Sequence, residues 1–248
     1  MVGKKLMNEL TLGIIGKGFV GTAVSRGFEN GTVRQWAVDP KLGQESHSIG
    51  EVCFQQVDVA FVCVPTPSRP KLNDVDPSII YSVLNDLRKH TFEGLVVIKS
   101  SVTPQYLKDM VDRYSDLRVV YNPEFLTERS AKFDFINQTR FILGGRQEHT
   151  SKVKELYRWR FGDTIPVIET NYQTAELIKY MNNCFLATKV SFLNEMKQIS
   201  EKCGADWDVA IKGFLMDSRI GQSHYQVPGP DGKLGFGGHC LPKDINAL

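Results

Sequence analysis

Short apolar runs alternate with stretches of helical periodicity over the first 143 residues. Residues 10–15 (LTLGII), 33–38 (VRQWAV), 57–64 (VDVAFVCV), 95–98 (LVVI), 118–121 (RVVY) and 140–143 (RFIL) are strand-length and mostly apolar. Near-continuous apolar runs of this length belong to strands covered on both faces, the arrangement of a parallel sheet. Between them, 77–90 and 104–114 carry helical patterns, and so does the stretch that ends at Phe28. From 174 to 202 no Gly or Pro interrupts the chain, and Gly204 follows as a helix terminator. Leu177, Ile178, Met181, Phe185, Leu186, Val190, Leu193 and Met196 recur there at helical spacing and are expected to form a buried face. A shorter helix is expected over 206–215, then a Pro/Gly loop at 228–232.

The first strand runs directly into Gly16, Gly18 and Gly21, a GxGxxG spacing that opens the first helix. In that setting Gly16 makes the tight turn, Gly18 admits a pyrophosphate close to the backbone, and Gly21 lets helix and strand pack closely. Asp39 ends the second strand, 18 residues past Gly21. A carboxylate there accepts hydrogen bonds from an adenosine ribose and repels a 2′-phosphate, which favours NAD over NADP; the other reading of Asp39-Pro40 is a turn. Later strand ends carry Pro65-Thr66-Pro67, residues 99–104 (KSSVTP) and 122–128 (NPEFLTE). Ligands of such sheets sit beyond the carboxyl ends of the strands, so hydroxyls and carboxylates at three of them look like one site. The expected fold class is α/β: a Rossmann-like doubly wound parallel sheet over residues 1–168, followed by a long helix and a small, incomplete helical domain over 169–248.

Composition narrows the function classes. Thirty basic and 28 acidic residues give a net charge of +2, which offers no electrostatic case for nucleic acid or an anionic membrane. No apolar run approaches the ~18 residues that span a bilayer, and residues 1–9 are short and polar, without a signal-peptide core. Five cysteines, at 53, 63, 184, 203 and 240, form no CxxC pair. An odd count and no leader point to the reducing cytoplasm. Five scattered histidines make no HxxxH pair, so no metal is expected.

The most informative stretch is 234–244 (LGFGGHCLPKD). Gly235, Gly237 and Gly238 free the backbone to take positive φ. Pro242 suits a first helical turn, which puts Cys240 at a helix N-terminus. That location, with Lys243 nearby, favours a nucleophilic thiolate. Asp244 lies one turn on. A buried structural cysteine is the competing reading. Lys179 and Asn183, four apart on the long helix, project together, and Arg219 is a natural anion binder.

Taken together, these motifs resemble the UDP-glucose/GDP-mannose dehydrogenase family, the four-electron nucleotide-sugar dehydrogenases. The resemblance spans essentially the whole chain: the glycine loop with Asp39, residues 64–67 (VPTP), 99–102 (KSSV), 122–126 (NPEFL), 175–179 (AELIK) with Asn183, 217–221 (DSRIG) and 235–244 (GFGGHCLPKD). The 217–221 stretch looks like the form found in members acting on UDP-glucose. The resemblance implies NAD-dependent oxidation of a sugar C6 alcohol to a carboxylate through a thiohemiacetal and then a thioester on Cys240. Lys179 and Asn183 would stabilise the oxyanions, Glu124 and Asp244 would handle protons and water, and Ser101 would supply a hydroxyl where relatives often have threonine. Gly16, Gly18, Phe19, Val20, Gly21, Asp39, Val64, Pro65, Thr66, Ser101, Glu128 and Lys243 would hold NAD. Phe125, Leu126, Lys179, Asn183, Phe236 and Gly237 would hold the sugar nucleotide. Arg219 would reach a neighbouring subunit's substrate, which implies a homodimer.

Two departures stand out. The span from Asp39 to the strand at 57 is shorter than in most relatives, which should trim a peripheral element. The chain also stops four residues after Asp244, where relatives continue into a third, nucleotide-binding domain. It is then a fragment, or a partner chain supplies the missing part, or efficient turnover has been lost and a non-catalytic NAD-binding remnant is left. A two-electron hydroxyacid or phosphogluconate-type dehydrogenase shares the glycine loop and the lysine–asparagine pair but has no use for Cys240.

Overall fold

The computed structural model describes residues 10–69, 74–126, 131–238 and 240–247. The chain divides into two compact units: residues 1–69 with 75–179, and residues 70–74 with 180–248.

The first unit is built on a seven-stranded sheet: β1 (Leu10–Ile15), β2 (Val33–Val38), β3 (Val59–Val62), β4 (Leu95–Ile98), β5 (Arg118–Tyr121), β6 (Phe141–Gly145) and β7 (Val167–Thr170). Its spatial order is β2-β1-β3-β4-β5-β6-β7. The first five strands are parallel, with Ile15 beside both Val38 and Val62, and Val62 beside Ile98. The expected parallel sheet needs one correction, because β6 runs antiparallel to β5 and β7 follows β6 in parallel.

Side-chain parity explains why these runs are apolar throughout. Leu12, Ile14, Val59, Phe61, Leu95, Val97 and Val120 point to one face, and Ile15, Ala60, Val62, Val96, Ile98, Val119 and Tyr121 to the other. Helices cover both faces. On the first lie α1 (Phe19–Gly27), α5 (Ala131–Ile136) and α6 (Gln147–Phe161), which contribute Val24, Phe135 and Tyr157. On the second lie α2 (Ile49–Phe54), α3 (Ser78–Lys89) and α4 (Pro104–Arg113), which contribute Val52, Leu84 and Met110. The order in which successive strands join the sheet reverses between β1 and β3, so the switch-point crevice opens where the glycine loop and residues 63–67 leave the sheet.

The long helix α7 (Tyr172–Cys203) begins in the first unit and continues into the second. It ends as expected: Gly204 takes φ +72°, and the Ala205 amide donates to Ser200 O at 2.9 Å. The second unit adds α8 (Trp207–Leu215), whose first amides are capped by the Asp206 carboxylate, and α9 (Cys240–Ala247).

The expected buried face of α7 is corrected. Leu177, Met181, Phe185 and Met196 are exposed; Ile178, Leu186 and Val190 are half-buried, and only Leu193 of the set is buried. The inward side instead carries Glu176, Lys179, Asn183, Asn194 and Ser200. Periodicity identifies a two-faced helix without saying which face turns inward.

Candidate active site

In the first unit the glycine loop has the shape that a dinucleotide requires. Gly16 sits at φ +88°, and a Cβ there would lie 2.7 Å from Cys63 O. A Cβ on Gly21 would lie 1.9 Å from Gly16 O, so α1 can approach β1 only without a side chain at that position. At Gly18, the N-cap of α1, the same construction meets nothing within 4 Å. No acidic residue occupies the first turn of α1, and its leading amides, which lack intrahelical acceptors, present the positive helix end outward. Phe19 and Val20 are half-buried. Asp39 ties the glycine loop to the turn that follows β2. One carboxylate oxygen accepts from the Lys17 amide at 2.6 Å, and the other accepts from the Lys41 amide at 2.9 Å as the cap of a 3-10 turn over Pro40–Glu45. These residues fit NAD. Beyond β3, Val64 is buried, Pro65 exposed and Thr66 half-buried; the Ser100 hydroxyl donates to Val64 O at 2.7 Å, and Ser101 is half-buried. Glu128 lies outside the described residues.

Beyond the ends of β4 and β5 is a buried polar cluster. The Lys99 ammonium, 1% exposed, donates to Asn122 Oδ1 at 2.8 Å and Asn122 O at 3.2 Å. The same Oδ1 accepts from the Tyr157 hydroxyl at 2.5 Å, and Asn122 Nδ2 donates to Ile142 O at 2.7 Å. Burial lowers the Lys99 pKa to about 8, against the opposing pull of Cys63 and Glu124, and burial raises the Cys63 thiol to about 12. Two residues past Asn122, Glu124 accepts the Leu126 amide at 2.7 Å on Oε2. Its Oε1 lies 3.4 Å from Lys179 Nζ, which also donates to Glu124 O and lies 5.4 Å from the centre of the Phe125 ring. Of the expected catalytic groups, Glu124 and Lys179 thus meet in this unit, beside half-buried Phe125 and buried Leu126. Glu176, one turn before Lys179, has no exposed surface and neither carboxyl oxygen is hydrogen-bonded; burial raises its pKa to about 8.

In the second unit Cys240 is the first residue of α9, as expected. Asp244, one turn later, is fully buried: Oδ2 accepts from Asn183 Nδ2 and Oδ1 from Lys243 Nζ, both at 2.5 Å. The lysine expected to act on the thiol is therefore engaged by Asp244. Gly235 and Gly238 take positive φ, whereas Gly237 does not. Asn194 Oδ1 receives the Gly235 amide at 2.9 Å. Phe236 is half-buried, and the Arg219 side chain is 86% exposed against Asp217.

Sequence reasoning assigned no role to Lys99, Glu176, Lys189 or Asn194. A charged residue at an apolar strand's end was the available signal for Lys99; for the other three, polar residues on an apolar-looking helix gave none. No group of three His, Cys, Asp or Glu among the described residues is placed to hold a metal ion. No helix among them is long and apolar enough to cross a membrane.

Residues 42–160 match the NAD-binding domain of the UDP-glucose/GDP-mannose dehydrogenase family, and residues 173–248 match its central domain. The chain is 38% identical over 201 residues to the UDP-glucose 6-dehydrogenase of Rickettsia typhi, covering 79% of this chain and 45% of that protein. It is 36% identical over 225 residues to UDP-glucose 6-dehydrogenase YwqF of Bacillus subtilis, covering 87% and 49%. The chain spans about half the length of these curated relatives. Its structure is similar to a UDP-glucose dehydrogenase from Pyrobaculum islandicum, with TM-score 0.80 and 26% identity, covering 98% of this chain and 64% of the other.

Proposed function

This chain belongs to the UDP-glucose/GDP-mannose dehydrogenase family, and from that premise we propose that it oxidises C6 of a nucleotide sugar, UDP-glucose foremost, to the carboxylate. It would do so alone or together with the remaining length of its relatives. NAD, for which Gly16, Gly18, Gly21 and Asp39 form the seat, supplies the acceptor for the two hydrides that the conversion releases. The chain's own groups do the rest. The Cys240 sulfur adds to the C6 aldehyde, and the carbonyl electrons move to oxygen. Lys179 and Asn183 donate hydrogen bonds to that oxyanion. Once the carbon stands at the acyl level, water adds, the carbon–sulfur bond breaks and the thiolate leaves. Glu124 and Asp244 orient that water and take its proton. A thiol is needed because an aldehyde is a poor hydride donor until a nucleophile makes it tetrahedral.

The observation that carries this reading is the thiol at the head of α9 with a fully buried aspartate one turn on, itself bonded to Asn183. A structural cysteine has no need of a buried carboxylate and amide arranged behind it.

The same reading includes a homodimer. Met181, Phe185, Phe192, Met196 and Ile199 form one stripe along α7, 37% to 65% exposed. An apolar stripe of that length on a helix is the mark of an interface, and a second copy is the partner we assign to it.

Intact-mass analysis of the chain incubated with NAD and UDP-glucose, GDP-mannose or their N-acetyl relatives tests the chemistry. A sugar-nucleotide adduct on Cys240, absent in Cys240→Ser, is expected with one of them. NAD binding with neither adduct nor NADH from any of them would reduce the protein to a non-catalytic dinucleotide binder.

A further inference from the structure

Lys189 lies on α7, six residues past Asn183. Its ammonium donates to three backbone carbonyls of one turn: Ile220 O at 3.3 Å, Gly221 O at 2.8 Å and Ser223 O at 2.7 Å. Those contacts use all three of its donors. The turn follows α8 and is tightly wound: the Ile220 amide donates to Asp217 O at 3.0 Å, Gly221 takes φ +71° and His224 φ +56°. The curl makes three carbonyls converge on one point. A compact ammonium on a long stem fits such a point better than a planar guanidinium.

Arg219 projects from the same turn. Asp217 accepts its amide at 3.0 Å and grips one edge of its guanidinium, with Nε 2.9 Å from Oδ1 and Nη2 2.5 Å from Oδ2. The remaining donors face outward on a side chain that is 86% exposed. An exposed arginine–aspartate pair contributes little order by itself. What fixes the direction of Arg219 is the turn beneath it, and what fastens the turn to the helix is Lys189.

We propose that Lys189 is a positioning residue: it locks the turn that carries Arg219, so that the guanidinium is held ready for the anionic diphosphate of a nucleotide sugar bound to a second copy of the chain. This rests on the reading of Arg219 given above. Lys189 touches neither ligand nor reacting atoms; it acts through the backbone of residues 220–223.

Lys189→Met, Lys189→Arg, Arg219→Ala and the double variant Lys189→Met/Arg219→Ala test it, with UDP-glucose as the probe. Peptide-resolved hydrogen exchange should accelerate at least tenfold over the turn in Lys189→Met, the scale set by losing hydrogen bonds from a charged donor. UDP-glucose should bind about tenfold more weakly to Lys189→Met, with NAD affinity unchanged and partial recovery in Lys189→Arg. The double variant should bind no more weakly than Arg219→Ala, because both changes remove the same contact. Unchanged exchange in the turn would overturn the positioning role. Additive losses in the double variant would mean that Lys189 acts independently of Arg219. If Arg219→Ala leaves UDP-glucose binding intact, the role of Arg219 fails, and the exchange data alone then decide whether Lys189 fixes the turn.

Discussion

Glu176 offers the sharpest test of the first unit. Its side chain has no exposed surface, neither carboxyl oxygen has a hydrogen-bond partner, and burial raises its pKa from the ordinary 4.5 to about 8. A carboxyl held protonated in the folded state binds a proton that the unfolded chain releases above pH 4.5. Stability is therefore greatest below that value and falls as pH rises, until the folded group also ionises near pH 8. Each pH unit across this window costs about 1.4 kcal/mol, so the whole interval costs about 5 kcal/mol and neutral pH roughly 3 kcal/mol. Glu176→Gln removes the titration while keeping the shape. Urea unfolding of both proteins at several pH values across the window should give curves that diverge, the glutamine variant gaining at every step upward. The depressed carboxyls of Asp217, held by Arg219, and of Glu169, held by Lys154, Thr150 and Ser151 against burial, act in the opposite sense at acid pH. They are common to both proteins and cancel. Parallel curves across the window would refute the argument and mean that Glu176 ionises like an exposed carboxyl.

The remaining predictions concern the nucleotide seat and the interface. Gly21→Ala drives a methyl group to 1.9 Å from Gly16 O; moving α1 to relieve it should cost about 1–3 kcal/mol in stability, and NAD binding measured by calorimetry should be lost. Asp39→Ala leaves the Lys17 and Lys41 amides without their acceptor. NAD affinity should fall about tenfold, and the preference for NAD over NADP should narrow, as competitive titration would show. Phe185→Glu places a charge in the outward stripe of α7. A Phe side chain contributes about 2 kcal/mol when buried and counts twice in a two-fold interface, so sedimentation should show dimer association weakened by roughly a thousandfold.

Much of the first unit was legible because its signals are local. An apolar run of four to six residues, a glycine that cannot carry a Cβ and an acid at a strand end each state their own geometry, and β1, β2 and Asp39 stand where the pattern put them. The missed elements lack such signals. Strand β7 (VIET) is half polar, and α6 (QEHTSKVKELYRWRF) buries only a few apolar residues among charged ones. The reversal of β6 leaves no mark on its own apolar run, which reads alike in either direction. Lys99 was visible as a residue but not as a buried cation, because its partner Asn122, and Tyr157 which shares that asparagine, are 23 and 58 positions away in the chain.

Of the apolar set expected to be buried on the long helix only Leu193 is so, and the reason bears on how the second unit holds together. Asn183, Lys189 and Asn194 of this helix are committed to fastening Asp244, the turn at 220–223 and the glycine stretch through Gly235. Those contacts set backbone positions but remove little apolar surface from water. Among the described residues of that unit only Tyr180, Ala187, Leu193 and Val227 are buried apolar side chains, and α8 buries none of its residues. The outward stripe of α7 is the apolar surface best placed to add to that small core. Folding of this unit should then be linked to association, so that the melting temperature rises with protein concentration in the native chain and loses that dependence in Phe185→Glu. A melting temperature independent of concentration in both would mean that the second unit is held by its polar ties alone.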